Sequence, residues 1–330
     1  MATQINWNTC PPRTSPISLR THHLSLTVSG PPRSPNQPVV LILQGLASST
    51  AEWPVVIREI SQFARVFSYD RSGFGESEIS PRDPSAENIA LELDELLKAV
   101  GVEGPFVLVA HSFGGIVARE FVHRRGAGEG DVVGVVFVDA NTEETPSTYP
   151  NAAVQALGKG LNGLEVTIGA EHQLSEGEWK VLMREEDSER NAVAGRRELE
   201  FYHGSGRTLA LKNQTTLSPP LLGDHPIVVL HANYALDLQR IYDAGVAAGN
   251  GSEEERKAMS AFIREANGLE EGMQRGMLGL STKARWVFVE GSGHYVHMVR
   301  PGFVVEGVRW VLGADDGEGE VLGRRDGEEE

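Results

Sequence analysis

The chain has 330 residues, of which 40% carry hydrophobic side chains, enough to build a substantial core in one large domain or two modest ones. Its formal net charge at pH 7 is -16, and part of that charge comes from residues 314–330, which carry eight acidic and two basic side chains. This negative charge disfavours nucleic acids and anionic membrane surfaces as partners. Cys10 is the only cysteine, which excludes an intrachain disulfide and a cysteine-rich metal cluster.

Both ends of the chain differ in composition from its middle. Residues 1–16 are polar and proline-bearing and residues 314–330 are rich in Gly, Glu and Asp, so we predict disorder in both and place the fold in residues 17–313. The first residues lack the basic start and apolar middle of a secretory signal, and no apolar run approaches the roughly 18 residues that span a bilayer. We therefore expect a cytosolic protein without membrane association.

Short apolar runs recur along residues 17–313. Residues 17–20 and 24–28 are typical of short strands at an antiparallel sheet edge. Six later runs are apolar on both faces, which is typical of buried parallel strands: residues 39–43, 66–69, 106–109, 132–138, 227–230 and 286–289.

Helical patterns fill the intervals between these runs. The clearest covers residues 85–100, where Ser85 can cap the free amides and Gly101 can end the helix with a positive φ. A last helix lies between Pro301 and Gly313. The alternation of strands and helices predicts an α/β fold with a mostly parallel central sheet.

Two stretches interrupt the alternation with helical patterns alone, residues 144–224 and residues 238–281. We predict a core built from residues 17–143 and 225–313. The first insertion is expected to be a helical cap over the carboxyl ends of the strands, where it would shape a substrate pocket. The alternative is a group of helices packed beside the sheet with no part in a pocket.

A serine occupies the turn between the third central strand and the helix that follows it. The string AHSFGG at residues 110–115 closes one apolar run and opens another, so Ser112 lies at a strand-to-helix turn. Such a turn displays a side chain only if its neighbours two positions away are small, and Ala110 and Gly114 meet that demand. Ser112 is therefore a candidate nucleophile.

Like this serine, four other segments lie at the ends of predicted strands: residues 44–49 (QGLASS), 70–77 (DRSGFGES), 136–139 (VFVD) and 290–294 (EGSGH). Together with AHSFGG, they make most of residues 17–313 resemble the α/β-hydrolase superfamily. The resemblance implies an α/β-hydrolase fold with a helical cap insertion. It also implies a nucleophile, an acid and a histidine in that chain order.

His294 is the candidate base. Its position after the final strand matches the superfamily pattern, and an imidazole that titrates near neutrality can take the serine proton and return it to a leaving group. His297 in the same loop is the alternative. His111 is expected to pack against the top of the sheet, because adjacent side chains on such a turn point apart.

Two carboxylates compete for the role of the acid. Many members of the superfamily place it a few residues beyond the next-to-last strand, where this chain has Ala235, with Asp237 two residues further on. Other members place it at the end of the strand after the serine, where this chain has Asp139. We favour Asp139 and keep Asp237 as the alternative. Either would hold the imidazole in the tautomer that acyl transfer requires.

The amides of Phe113 and Leu46 are the expected oxyanion hole. The turn itself supplies Phe113, and resemblance to the loop after the first central strand supplies Leu46. That loop usually begins His-Gly, whereas this chain has Gln44-Gly45. Gln44 can shape the loop or reach a ligand, so Gln44 and His111 are candidates for substrate contact.

Neither a nucleotide nor a metal ion is expected. Residues 70–77 lack the third glycine of a dinucleotide loop and the lysine of a P-loop. The pairs His22/His23 and His225/His231 have no obvious third metal ligand. We predict no cofactor and a small-molecule substrate, and the sequence does not specify an oligomeric state.

The favoured function is a serine hydrolase, esterase- or lactonase-like, that cleaves an ester, lactone or thioester through an acyl-enzyme at Ser112. The alternatives are a non-catalytic ligand-binding protein that keeps the fold, and a cyclase, lyase or C–C hydrolase that uses the same pocket. Four side chains of the first insertion either make the pocket apolar or pack within the cap: Trp179, Met183, Phe201 and Tyr202.

Overall fold

The computed structural model describes residues 5–126, 131–148 and 151–313. In these ranges one eight-stranded sheet has the order β1-β2-β4-β3-β5-β6-β7-β8. β2 runs antiparallel to both of its neighbours, β1 and β4, and all the other neighbouring pairs are parallel. The strands are β1 (Arg13–Ser18), β2 (His23–Ser29), β3 (Val39–Leu43), β4 (Arg65–Tyr69), β5 (Phe106–His111), β6 (Val132–Val138), β7 (Ile227–Ala232) and β8 (Ala284–Val289).

Helices cover both faces of the sheet and its carboxyl edge. They are α1 (Pro54–Ile60), α2 (Ala86–Val100), α3 (Gly114–Arg125), α4 (Thr145–Thr148), α5 (Ala152–Gly158), α6 (Gly163–Thr167), α7 (Glu176–Glu186), α8 (Glu189–Ala210), α9 (Tyr234–Ala247), α10 (Glu253–Arg275), α11 (Val296–Val299) and α12 (Pro301–Val311). None of the helices in the described ranges is both long enough and apolar enough to cross a membrane.

Successive side chains of a buried strand point to opposite faces of the sheet, so the apolar core forms two layers, one on each face. In β3, Leu41 packs in a cluster with Leu97 of α2 and Phe121 of α3. Its neighbour Ile42 points to the opposite face, into a cluster with Val56 of α1 and residues of α12. Strands that are buried on both faces must be apolar throughout, which is why continuous apolar runs predicted β3 to β7. The run at residues 286–289 predicted β8 as well, although β8 lies at the edge of the sheet and only its last residue, Val289, is buried.

The ends of α2 follow from its flanking residues. Ser85 accepts a hydrogen bond from the amide of Asn88, and Gly101 leaves the helix with φ of 66°. These are the two end signals predicted from the sequence, and the helix spans Ala86–Val100 as expected.

The two helical insertions pack against each other as well as against the core. Leu157 of α5 shares an apolar cluster with Leu238 of α9 and Met259 of α10. The second insertion begins earlier than the predicted residue 238, because α9 starts at Tyr234, directly after β7.

The prediction of disorder over residues 1–16 is wrong for residues 5–16. β1 begins at Arg13 and pairs with β2, and Trp7 is only 3% exposed. The buried Arg65 guanidinium donates to the carbonyls of Trp7 and Cys10 at 2.8 and 2.7 Å. Backbone pairing and this anchor order the segment, and composition reveals neither. The predicted disorder of residues 314–330 concerns a segment outside the described residues.

Candidate active site

Ser112 lies between β5 and α3 in a left-handed conformation, with φ of 52°. Its amide donates to the carbonyl of Val138 at 3.3 Å, and its own carbonyl accepts the amides of Gly115 and Asn141 at 2.9 and 2.8 Å. Non-glycine residues rarely adopt a positive φ, so these bonds hold the turn in a strained conformation. The hydroxyl of Ser112 is thereby presented to the cavity described below.

Gly114 allows the helix after Ser112 to start against the neighbouring strand. A Cβ atom at this position would lie 2.3 Å from the carbonyl oxygen of Leu43 and 2.9 Å from that of Gln44. Both obstacles are backbone atoms and cannot rotate away. The absence of a side chain at Gly114 is therefore a packing requirement of the turn.

We expect Gly114→Ala to lower the free energy of unfolding by about 1–3 kcal/mol, the usual cost of overpacking, as measured by urea denaturation. Gly268→Ala is the matched control, since a Cβ there meets nothing within 4 Å. Because Gly268 lies inside α10, alanine should stabilise the helix by about 0.5–1 kcal/mol. Equal effects of the two substitutions would contradict the steric argument.

The imidazole of His294 is oriented by Asp139. His294 Nδ1 lies 2.7 Å from Asp139 Oδ2. Since a carboxylate only accepts, Nδ1 carries the hydrogen and Nε2 of the neutral ring keeps its lone pair. Burial opposes protonation of the ring, but this hydrogen bond and the charges of Asp139 and Asp237 raise the pKa of His294 above its ordinary value. The ring is thus held in the tautomer that a general base needs.

Asp139 is held as a carboxylate in a buried position. It follows β6 with φ of 40°, and its side chain is 4% exposed. Its Oδ1 accepts the amide of Ala232 at 3.1 Å and Nε2 of Gln274 at 2.8 Å. Burial would raise the pKa of Asp139, but the hydrogen bond from His294 and the charges around it hold that pKa below the ordinary value.

Asp237 contacts the backbone of His294 rather than its ring. Its Oδ2 accepts the amide of His294 at 2.7 Å from the first turn of α9. Burial raises the pKa of Asp237 to about 6. The two candidate acids therefore lie on either side of the same histidine, Asp139 at the ring and Asp237 at the main chain.

Ser112, Asp139 and His294 line one cavity of about 260 Å³. The first helical insertion contributes side chains to its wall, and α9 and α10 of the second contribute two more. The other lining residues are Leu46, Asn141, Thr145, Asn151, Val154, Gln155, Leu199, Tyr202, Tyr234 and Glu270. The two insertions therefore form part of the wall around the space in front of Ser112.

The amides of Leu46 and Phe113 are available to a ligand. Among the described residues, neither amide donates a hydrogen bond to another protein group. Leu46 also lines the cavity, and Phe113 follows Ser112 directly in the turn. Two free amides beside a displayed hydroxyl are what an oxyanion hole requires.

The structure gives Gln44 and His111 roles that differ from the predicted substrate contact. Gln44 is 1% exposed and donates to the carbonyl of Tyr69 at 2.7 Å, so it shapes its own loop. His111 is 2% exposed, and its Nε2 donates to the carbonyl of His294 at 3.1 Å. Neither side chain is part of the cavity lining. Both side chains satisfy the backbone of neighbouring loops, which was the other role that the sequence left open for Gln44, and their contact with substrate stays a prediction.

His297, the alternative base, is buried away from this cavity. Its Nε2 lies 3.1 Å from Glu52 Oε2, and its ring stacks on Trp53 with centroids 4.2 Å apart. Glu52, His111 and His297 have potential ligand atoms within 4.8 Å of one another, and within the described ranges they form the one group that could hold a metal ion. The hydrogen bond to Glu52 and the stacking on Trp53 hold the His297 ring, while its buried Nδ1 has no hydrogen-bond partner among the described residues.

The histidine pairs considered for metal binding lie elsewhere and pair with other groups. His23 Nδ1 is 2.8 Å from Glu78 Oε2, and His22 Nε2 is 3.5 Å from Glu92 Oε1. His231 stacks on Trp286. None of these three histidines lies in the cavity wall.

Two of the four candidate pocket side chains of the first insertion have different positions in the structure. Tyr202 lines the cavity, and Asn141 Nδ2 donates to its hydroxyl. Trp179 stacks on His172 with centroids 4.1 Å apart, within the packing of the insertion. Glu270 and Tyr234 also line the cavity, and no sequence pattern marks them, because each is an ordinary helical residue until α9 and α10 fold over the sheet.

Comparison with known proteins finds one family. Residues 39–307 match the family described as "Alpha/beta hydrolase family". An "AB hydrolase superfamily protein" from Gibberella zeae is 35% identical over 303 residues, which cover 88% of this chain and 91% of that protein.

Two further similarities are limited, the first by how little of the relative is covered and the second by its low sequence identity. A "Probable transporter" from Hormonema carpetanum is 29% identical over 317 residues, which cover 93% of this chain and only 44% of that protein. The solved structure of an epoxide hydrolase aligns with a TM-score of 0.57 over 92% of this chain and 98% of that chain, at 15% identity. At that identity the likeness concerns the fold.

Proposed function

The chain belongs to the alpha/beta hydrolase family, and on that premise we propose that it is a serine hydrolase acting on a small ester, lactone or thioester. Membership confirms the family and the fold class predicted from the sequence, and it supports a hydrolase-type function. The observation that carries the proposal is the placement of Ser112, His294 and Asp139 in one cavity, with His294 Nδ1 2.7 Å from Asp139 Oδ2.

In the proposed reaction, His294 Nε2 takes the hydroxyl proton of Ser112 as Oγ attacks the carbonyl carbon. The amides of Leu46 and Phe113 stabilise the tetrahedral oxyanion. The imidazolium returns the proton to the leaving alcohol or thiol, and the acyl group remains on Ser112. Water then loses a proton to the same nitrogen and attacks the acyl carbon. The bond to Ser112 Oγ breaks, the imidazolium returns its proton to that oxygen, and the carboxylic acid is released.

A serine at this turn favours acyl transfer over the epoxide hydrolase and haloalkane dehalogenase variants of the fold, which are associated with an aspartate there. The cavity of about 260 Å³ favours a small acyl or alcohol group. Its wall combines apolar side chains such as Leu199 and Val154 with polar groups such as Asn141 and Glu270. We propose a small, partly polar substrate on this basis.

Covalent labelling with a fluorophosphonate probe tests the proposal. The wild type should label at Ser112, identified by peptide mass spectrometry, and should hydrolyse at least one member of a panel of short p-nitrophenyl esters and lactones. Ser260→Ala is a matched control and should label like the wild type, because the Ser260 hydroxyl on α10 donates to the carbonyl of Arg256 and is not in the cavity wall. His294→Ala should abolish labelling. A folded wild type that neither labels nor turns over an ester would instead favour a ligand-binding protein.

A further inference from the structure

The loop that carries Leu46 is held by a buried arginine. We call residues 44–47 the oxyanion loop. Arg71 Nη1 donates to the carbonyl of Gln44 at 3.0 Å, and Arg71 Nη2 donates to the carbonyl of Gly45 at 2.6 Å. Arg71 follows β4, so the neighbouring strand fixes two successive peptide groups directly before Leu46.

Glu198 completes the clamp from α8 in the first helical insertion. Its Oε1 accepts Arg71 Nε at 2.7 Å, and its Oε2 accepts Arg71 Nη2 at 2.9 Å. The same Oε2 also accepts the amide of Ala47 at 2.9 Å. The peptide groups on both sides of Leu46 are therefore tied to one buried ion pair, while the amide of Leu46 itself stays available.

This ion pair is shielded from water. The side chains of Arg71 and Glu198 are 3% and 2% exposed. Burial disfavours the charged guanidinium, but the charge and hydrogen bonds of Glu198 outweigh that effect and raise the pKa of Arg71. In such surroundings, removing one partner leaves an uncompensated charge, so each partner depends strongly on the other.

Close packing of α8 supports the same contact. A Cβ atom on Gly195, one turn before Glu198, would lie 2.8 Å from Cβ of Ala47. Ala47 itself has φ of 57°, an uncommon conformation for alanine. Gly195 thus allows the helix to approach the oxyanion loop closely enough for Glu198 to reach the amide of Ala47.

We propose that Glu198 is a positioning residue that aims the amide of Leu46 at the oxyanion, so that docking of α8 onto the core sets transition-state stabilisation. The proposal rests on the proposed function, because an oxyanion forms only if Ser112 attacks a carbonyl. A donor aimed at the oxyanion acts on the transition state more than on bound substrate. Its misplacement should therefore lower kcat and leave KM nearly unchanged.

The test is Glu198→Gln, with Glu200→Gln on the exposed surface of the same helix as the matched control. We expect Glu198→Gln to lower kcat for a p-nitrophenyl ester by about 10²-fold, the effect of losing one oxyanion donor, and to slow fluorophosphonate labelling of Ser112 in parallel. KM should stay within about twofold of the wild type. Glu200→Gln should match the wild type in all three measurements.

Amide hydrogen exchange over residues 44–48 tests the clamp without any chemistry. Exchange should be faster in Glu198→Gln and unchanged in Glu200→Gln. This expectation holds even if Ser112 of the wild type never labels, because a failure to label would refute the serine hydrolase function and not the clamp. Should Glu198→Gln fail to fold, Gly195→Ala replaces it, because its methyl group displaces α8 from Ala47. A folded Glu198→Gln variant with wild-type exchange and wild-type kcat would overturn the proposal, as would a raised KM with kcat unchanged.

Discussion

Ser112→Ala should lower kcat about 10⁶-fold for any ester that the wild type hydrolyses, the scale of a nucleophile loss in a serine hydrolase. Its Oγ is the atom that would form the acyl-enzyme, and no other hydroxyl shares the turn between β5 and α3. His294→Ala should cost nearly as much, because a serine hydroxyl without a base is a poor nucleophile near neutral pH. Steady-state kinetics with active-site titration measures both losses.

The double variant Ser112→Ala/His294→Ala should be no slower than either single variant. Residues that act as one unit lose their combined effect when any member is removed, and a residual rate of about 10³–10⁴ over the uncatalysed reaction remains from binding and the oxyanion hole. Additive losses would indicate two independent roles. A fast Ser112→Ala variant that still needs His294 would point to direct attack by water.

The sequence predicts most of the core because its signals are local. Each strand from β3 to β7 is buried along nearly its whole length and so appears as a continuous apolar run. Ser85 and Gly101 mark the ends of α2 through hydrogen bonding and φ that depend on neighbouring residues only. The turn at Ser112 is marked by small residues at fixed offsets. Such features need no knowledge of tertiary contacts.

The rest depends on contacts between distant segments. Glu198 and Arg71 are separated by 127 positions, and neither residue type signals a buried clamp. Trp7 and β1 become ordered through β2 and the Arg65 guanidinium, which the polar composition of residues 5–16 conceals. The identity of the acid also depends on contacts between distant segments, since both candidates follow parallel strands and lie at the same carboxyl edge of the sheet. Only the fold decides which one lies beside a given ring.

Asp139→Asn should lower kcat about 10⁴-fold, because an asparagine amide can face Nδ1 of His294 and favour the wrong ring tautomer. Asp237→Asn should lower kcat by no more than about tenfold, the size of one hydrogen bond, because its remaining side-chain oxygen can still accept the amide of His294. The two variants are matched, since each replaces one buried carboxylate beside the same histidine. Circular dichroism must show both folded before their rates are compared.

The pH dependence of kcat/KM separates the two carboxylates further. The base must be neutral to act, so activity falls as pH drops through the pKa of His294, and Asp139 raises that pKa through its hydrogen bond and charge. Asp139→Asn should therefore move the acidic limb to lower pH as well as lowering the maximum. Asp237→Asn should move it less, because only the charge of Asp237 acts on the ring. A rate loss confined to Asp237→Asn, with both variants folded, would assign the acid to Asp237 and leave Asp139 as a strand-end residue that satisfies the amide of Ala232.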